Sequence, residues 1–155
     1  MKSSKNVLIL FILYSAFFFI GSTLSPITAY FRNWELSAKL TALYMFSCHQ
    51  QPDRTFFILG YPIALCSRCY GFYSGVILFG ILGIIDKLKI NKKIFLFLIS
   101  FVCLDLILNG ILKYNTGNLI RFSVGFVMGL IFVAVIKFVL ERCIKLCSKK
   151  QQPHF

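Results

Sequence analysis

The chain has 155 residues, of which 58% are hydrophobic, 17% aromatic and 14% charged, and its formal net charge is +12. A soluble domain carries about a quarter charged residues. A chain of mean hydropathy +0.79 therefore belongs in a bilayer, where about four helices of about 20 residues with their loops use up its whole length and leave no soluble catalytic domain. The basic residues fall between apolar runs rather than on a polar face interleaved with aromatics, which argues against nucleic acid as a partner and makes them membrane orientation signals.

After Lys2 and Lys5, the run Val7 to Ile20 is nearly unbroken apolar sequence. A cleaved signal peptide has the same outline. However, Ile27, Ala29, Tyr30 and Phe31 carry the apolar stretch past Pro26, and no small-x-small cleavage pattern follows. An uncleaved membrane helix over about 7–30 is the expectation. An outer loop over 31–69 follows. In its first part Arg32, Trp34, Glu35 and Lys39 alternate with Leu36, Leu40, Leu43 and Tyr44 at spacings of three and four, which predicts an amphipathic helix along the membrane surface. Further helices are predicted over about 70–85, 94–112 and 119–140, separated by a basic turn at 86–93 and a Gly/Asn turn at 114–118, with a basic tail at 141–155. The fold class is all-α, a single-domain integral membrane four-helix bundle with an extracytoplasmic Cys/His loop.

Lys2 and Lys5, then Lys87, Lys89, Lys92 and Lys93, then Lys137, Arg142, Lys145, Lys149 and Lys150 fall on one side of a four-span protein. The positive-inside rule makes that side cytoplasmic, with both termini there, in a multi-pass protein of the plasma or inner membrane. The 31–69 loop and the turn bearing Lys113 and Arg121 then face outward.

That loop collects the residues with chemistry in them: Cys48, His49, Cys66 and Cys69. Thiolate and imidazole are the ligands zinc favours, and two close pairs separated by a loop commonly assemble a tetrahedral site, so zinc or another soft-ligand divalent metal is the expected cofactor. Adjacent Cys48 and His49 diverge in an extended strand, so both ligate one ion only if the backbone turns, as Pro52 favours; with one of them missing, three ligands leave an open position. The same residues support two other readings. Cys66-Ser67-Arg68-Cys69 precedes a membrane helix, where Arg68 and the helix N-terminus lower a thiol pKa. This arrangement resembles that of membrane quinone reductases that generate disulfides, so a thiol-disulfide oxidoreductase using Cys66 and Cys69, with quinone as cofactor, is one alternative. A non-catalytic scaffold whose loop is stapled by a disulfide is the other.

The runs Cys48-His49-Gln50-Gln51-Pro52-Asp53-Arg54-Thr55-Phe56 and Cys66-Ser67-Arg68-Cys69-Tyr70-Gly71-Phe72-Tyr73-Ser74-Gly75 are similar to the signatures of a family of prokaryotic membrane proteins, domain of unknown function 2085. The segment 105–129, with Asp105, Asn118, Arg121 and Gly125, resembles that family's later Asp-bearing helix and Asn-x-x-Arg-x-x-x-Gly motif. The sequence differs in detail at Thr55 and Tyr70, where Ser and Thr are usual. The resemblance implies a small multi-span protein and assigns it no activity.

Asp105 lies inside an apolar run, with Asn109 one turn further along the same helix face. An isolated carboxylate at that depth needs a partner, and Arg121 across the short turn is a candidate. Asp105, Asn109, Arg121, Arg54 and Arg68 are therefore read as a polar group next to the cysteines, either a structural ion pair or a functional second layer. Gly71, Gly75, Gly80 and Gly83, and Gly125 with Gly129, predict close helix packing within the monomer. Cys103 reads as a buried small residue, Cys143 and Cys147 as reduced thiols, and His154 as solvated.

Overall fold

The computed structural model describes residues 2–88, 91–112 and 116–150. Lys89, Lys113 and His154, named above, lie outside the described residues. The elements are α1 (Lys2–Tyr30), α2 (Trp34–Tyr44), a single 3-10 turn (Pro52–Arg54), β1 (Phe57–Ile58), β2 (Tyr61–Pro62), α3 (Ser67–Ile84), α4 (Lys92–Gly110) and α5 (Asn118–Lys150).

α1 runs unbroken through Pro26. Proline has no N–H, so the carbonyl four residues earlier loses its helical donor. Here that carbonyl belongs to Ser22, and it accepts instead from the Ala64 N–H at 3.2 Å. One bond therefore both satisfies the proline defect and fastens the 31–69 loop to the first helix. α2 starts on Asn33, whose side chain accepts from the Leu36 N–H at 3.2 Å, and Glu35 pairs with Lys39 one turn on. Its last residue, Tyr44, is fully buried over Gly21, where any side chain would collide with the phenol. Ser25 of α1 meets Thr41 of α2 at 2.8 Å.

β1 and β2 form a two-stranded hairpin that the sequence reading did not anticipate. Leu59 and Gly60 at its tip both have positive φ, 54° and 84°, as the tight type I′ connection requires.

The closest helix packing is between α3 and α5, and it rests on glycines at spacing four in both helices. A methyl at Gly75 would stand 2.5 Å from the Phe126 carbonyl oxygen, and one at Gly129 2.7 Å from that of Phe72. At Gly71 and Gly125 it would overlap the carbonyls of Phe122 and Arg68 outright. The pairing 71 with 122 and 75 with 126 makes the two helices parallel. α1 runs antiparallel to α3, with Leu8 beside Gly83, Ile12 against Gly80, and Phe18 stacked on Tyr73 at 4.9 Å. α4 packs on α5.

Among the described residues three stretches are long and apolar enough to cross a membrane: Lys5–Tyr30, Ser67–Ile84 and Asn118–Cys143. α4, 19 residues that include Lys92, Lys93 and Asp105, is not among the three. α5 continues through Lys150, so most of the expected 141–155 tail is helical; no Gly or Pro interrupts the sequence between Gly129 and Pro153. The two ends of the bundle differ in chemistry. At one, Lys5 and Lys137 hold Asp86 at 3.4 and 3.0 Å, tying α1, the end of α3 and α5 together. The cysteine loop lies at the other.

Candidate metal centre

The loop folds by a few specific bonds. The Cys48 N–H donates to Tyr44 O at 3.0 Å as α2 ends, and Gln50 takes a left-handed φ of 48° while its side chain donates to Thr41 O at 2.6 Å. This turn sends the two neighbours apart: Cys48 is buried, 6% exposed, and His49 is exposed. The buried Thr55 hydroxyl reaches Ile63 O at 3.1 Å and Leu65 O at 2.7 Å, Ser67 Oγ donates to Arg54 O at 2.9 Å, and Asn118 Nδ2 donates to Thr55 O at 2.9 Å. The 3-10 turn is thus pinned to the segment between the hairpin and α3, to the first residue of α3 and to the start of α5.

Cys66 is the N-cap of α3, and its N–H donates to Cys48 Sγ at 3.1 Å. Cys69 follows in the first turn, and the sulfurs of Cys48, Cys66 and Cys69 all lie within 4.8 Å of one another. Hydrogen bonds from the Cys48 and then the Cys69 thiol hold the Cys66 thiol well below the usual range, and the same bond raises that of Cys48. Cys69, hydrogen-bonded to both, is raised as well, so the lowering falls on Cys66 alone.

The sulfurs open onto a cavity of about 320 Å³ whose walls include His49, Arg54, Arg68 and Arg121. His49 lies on this wall outside the cluster of sulfurs. Three of the four predicted metal-binding side chains therefore converge, and the fourth borders the same space.

Behind the cavity is a buried polar network. Asp105 and Arg121 are 4% and 5% exposed. The Asp105 carboxylate accepts from Arg68 Nη2 at 2.5 Å and from Asn109 Nδ2 at 2.7 Å. Among the described residues the Arg121 side chain reaches the other end of that amide, donating through Nη2 and Nε to Asn109 Oδ1 at 3.1 and 3.3 Å. The carboxylate sought for Arg121 thus pairs with Arg68, and Asn109 links the two halves. Thr116 Oγ1, 3.3 Å from Asp105 Oδ1 and 2.9 Å from Asn109 Nδ2, completes the group. Sequence reasoning missed Thr116 and the anchoring role of Thr55; the only signal was their place in otherwise apolar or turn-forming surroundings.

Residues 48–135 match the family described as "Predicted membrane protein (DUF2085)". The chain belongs to this family. The matched segment begins at Cys48 and includes all three clustered sulfurs, Asp105 and Arg121. An uncharacterized protein of Methanocaldococcus jannaschii is 33% identical over 129 residues, which cover 77% of this chain and 83% of that protein. A second uncharacterized protein, from Methanothermobacter thermautotrophicus, is 30% identical over 104 residues, covering 65% of this chain and 93% of its own. No solved structure matches.

Proposed function

We propose that this membrane protein carries a divalent metal, zinc first, on Cys48, Cys66 and Cys69, with His49 on the cavity wall as the imidazole able to complete a tetrahedral set. The observation that carries the reading is the convergence of three sulfurs from two chain segments within 4.8 Å. A tetrahedral zinc with Zn–S bonds of about 2.3 Å places its sulfurs about 3.8 Å apart, inside the 4.8 Å within which these three lie. A disulfide needs two sulfurs and leaves the third without a role. A trithiolate with a divalent ion carries one negative charge, which also suits the arginines around it.

The membrane arrangement supporting this reading has four crossings. α3 and α5 are parallel neighbours, so the chain between them must return along the length of α3. α4, with 19 residues, is about 28 Å long and suffices for that return, its Asp105 charge being met by Arg68. The end bearing Lys5, Lys87, Lys92, Lys93 and Arg142 is cytoplasmic by the positive-inside rule, which puts the cysteine loop outside the plasma membrane.

Purified protein should contain about one equivalent of zinc or a similar metal, lost in Cys66→Ser and in Cys69→Ser. Metal-free protein with Cys66 joined to Cys69 would overturn the reading in favour of the oxidoreductase. Reporter fusions after Lys93 and at Lys150 should both report cytoplasm; an external signal at either would refute the four-span topology.

A further inference from the structure

We infer that the cavity beside the sulfurs binds a phosphate group, held by Arg121 and Arg68. This adds a ligand to the metal-centre reading and rests on the arginines rather than on the metal.

The chain has 17 basic and 5 acidic residues, so counter-ions are scarce. Of the three arginines on the cavity wall, Arg54 pairs with Asp53 at 3.5 Å and Arg68 with Asp105. Arg121, 5% exposed, has no carboxylate among the described residues; its polar contact is the neutral amide of Asn109. Among the described residues its buried Nη1 has no hydrogen-bond partner, and neither has the buried Nε of Arg68. A buried guanidinium N–H without an acceptor is costly. The neighbouring sulfurs do not cure this, because sulfur accepts hydrogen bonds weakly. Oxygen of an anion does, and the planar guanidinium fork suits phosphate and carboxylate. Three guanidinium groups share the cavity wall, which suits a doubly charged phosphate better than the single charge of a carboxylate. A phosphate group offers three or four oxygens, and about 320 Å³ leaves room for it and for a substituent. The group is free phosphate or the head of an anionic lipid, since the cavity lies at one end of a membrane bundle.

The test uses full-length, metal-analysed protein in uncharged detergent, with radiolabelled inorganic phosphate as the probe in equilibrium dialysis. Wild type should bind saturably at about one equivalent, and Arg121→Gln should weaken binding about tenfold or more. Arg121→Lys keeps the charge and loses the fork, and should also bind more weakly. Wild-type affinity in either variant, or no saturable binding by wild type, would overturn the inference; if Arg121→Gln does not fold, Arg121→Lys and wild type still decide. Nanodiscs of phosphatidylcholine with and without phosphatidylglycerol separate the sources: displacement of phosphate by phosphatidylglycerol, absent in Arg121→Lys, identifies a lipid headgroup, and no displacement identifies free phosphate. Phosphate binding by a protein without metal would refute the metal reading alone, and metal without phosphate binding would refute this inference alone.

Discussion

Arg68 Nη2 donates to Asp105 Oδ2 at 2.5 Å, and this bond joins the residue beside Cys69 to the middle of α4. α4 has packing against α5 but little else, so this ion pair and the Asn109 bonds from Arg121 are its specific links to the cysteine end. The carboxylate is shared: Asn109 and Thr116 occupy Oδ1 while Arg68 occupies Oδ2. Both halves of a buried ion pair must be present, because removing one leaves the other uncompensated.

Asp105→Asn should therefore destabilise the protein by about 3 kcal/mol, within the range for breaking a buried pair. Arg68→Gln should cost less, since that side chain is 28% exposed, and the double variant should recover about 1–2 kcal/mol through coupling. Chemical denaturation of the four proteins in one detergent measures the cycle, and strict additivity would show that the pair carries no stability.

Much of this end of the molecule is legible from sequence for a plain reason: in a chain so apolar, a loop holding Cys48, His49, Cys66 and Cys69 stands out chemically. The glycines of α3 and α5 were readable too, because spacing four puts them on one face. What the sequence withholds is register. Arg68 and Arg121 both lie within side-chain reach of Asp105, and the choice between them is made by how α3 slides along α5, which the four backbone contacts at Gly71, Gly75, Gly125 and Gly129 fix. The hairpin at Phe57–Pro62 has strands of two residues, too short for alternation to register. The divergence of Cys48 and His49 was foreseeable in kind, whereas its direction depends on the left-handed turn at Gln50.

Gly125→Ala should disrupt the α3 and α5 contact, because the added methyl would overlap the Arg68 carbonyl. Backbone cannot swing aside as a side chain can, so a loss of about 3 kcal/mol is expected. Metal content should fall with it, since Arg68 precedes Cys69. Gly83→Ala is the matched control: its methyl would meet Leu8 and Val133 side chains at 3.5 and 3.6 Å, ordinary contact distances, so helix propensity should leave it neutral or up to about 1 kcal/mol more stable. Equal thermal stability of the two variants would contradict the packing described.

Asp86 supplies a pH test at the opposite end. Lys137 first, then Lys5, holds its carboxyl below the ordinary value of 3.8. A depressed carboxyl pKa contributes stability that is complete above the unfolded value and is lost as pH falls through the folded one. Wild type should thus be more stable than Asp86→Asn by a constant margin above about pH 5, and the margin should close below about pH 4. Thermal unfolding of both proteins across that range is the measurement; a margin that persists to low pH would assign the effect to packing instead of charge.

Differential alkylation tests the metal centre residue by residue. Cys143 is exposed, as is Cys103 on α4, which was expected to be buried, whereas Cys48 is buried and Cys66 and Cys69 are half-buried. A maleimide should label Cys143 in the protein as purified and spare the three clustered thiols, since metal-bound sulfur is a poor nucleophile and sits inside the loop. After chelation Cys66 should react first, at least about tenfold faster than before, because it is half-buried on the cavity wall and the hydrogen bonds it accepts lower its thiol pKa. Cys48, 6% exposed, should lag behind it. His49→Ala should keep the same protection pattern but reach it at higher metal concentration, because three thiolates remain while the imidazole on the cavity wall is gone. Labelling of Cys66 at one rate before and after chelation would mean that no metal covers it, and labelling only after a reductant is added would mean that a disulfide does.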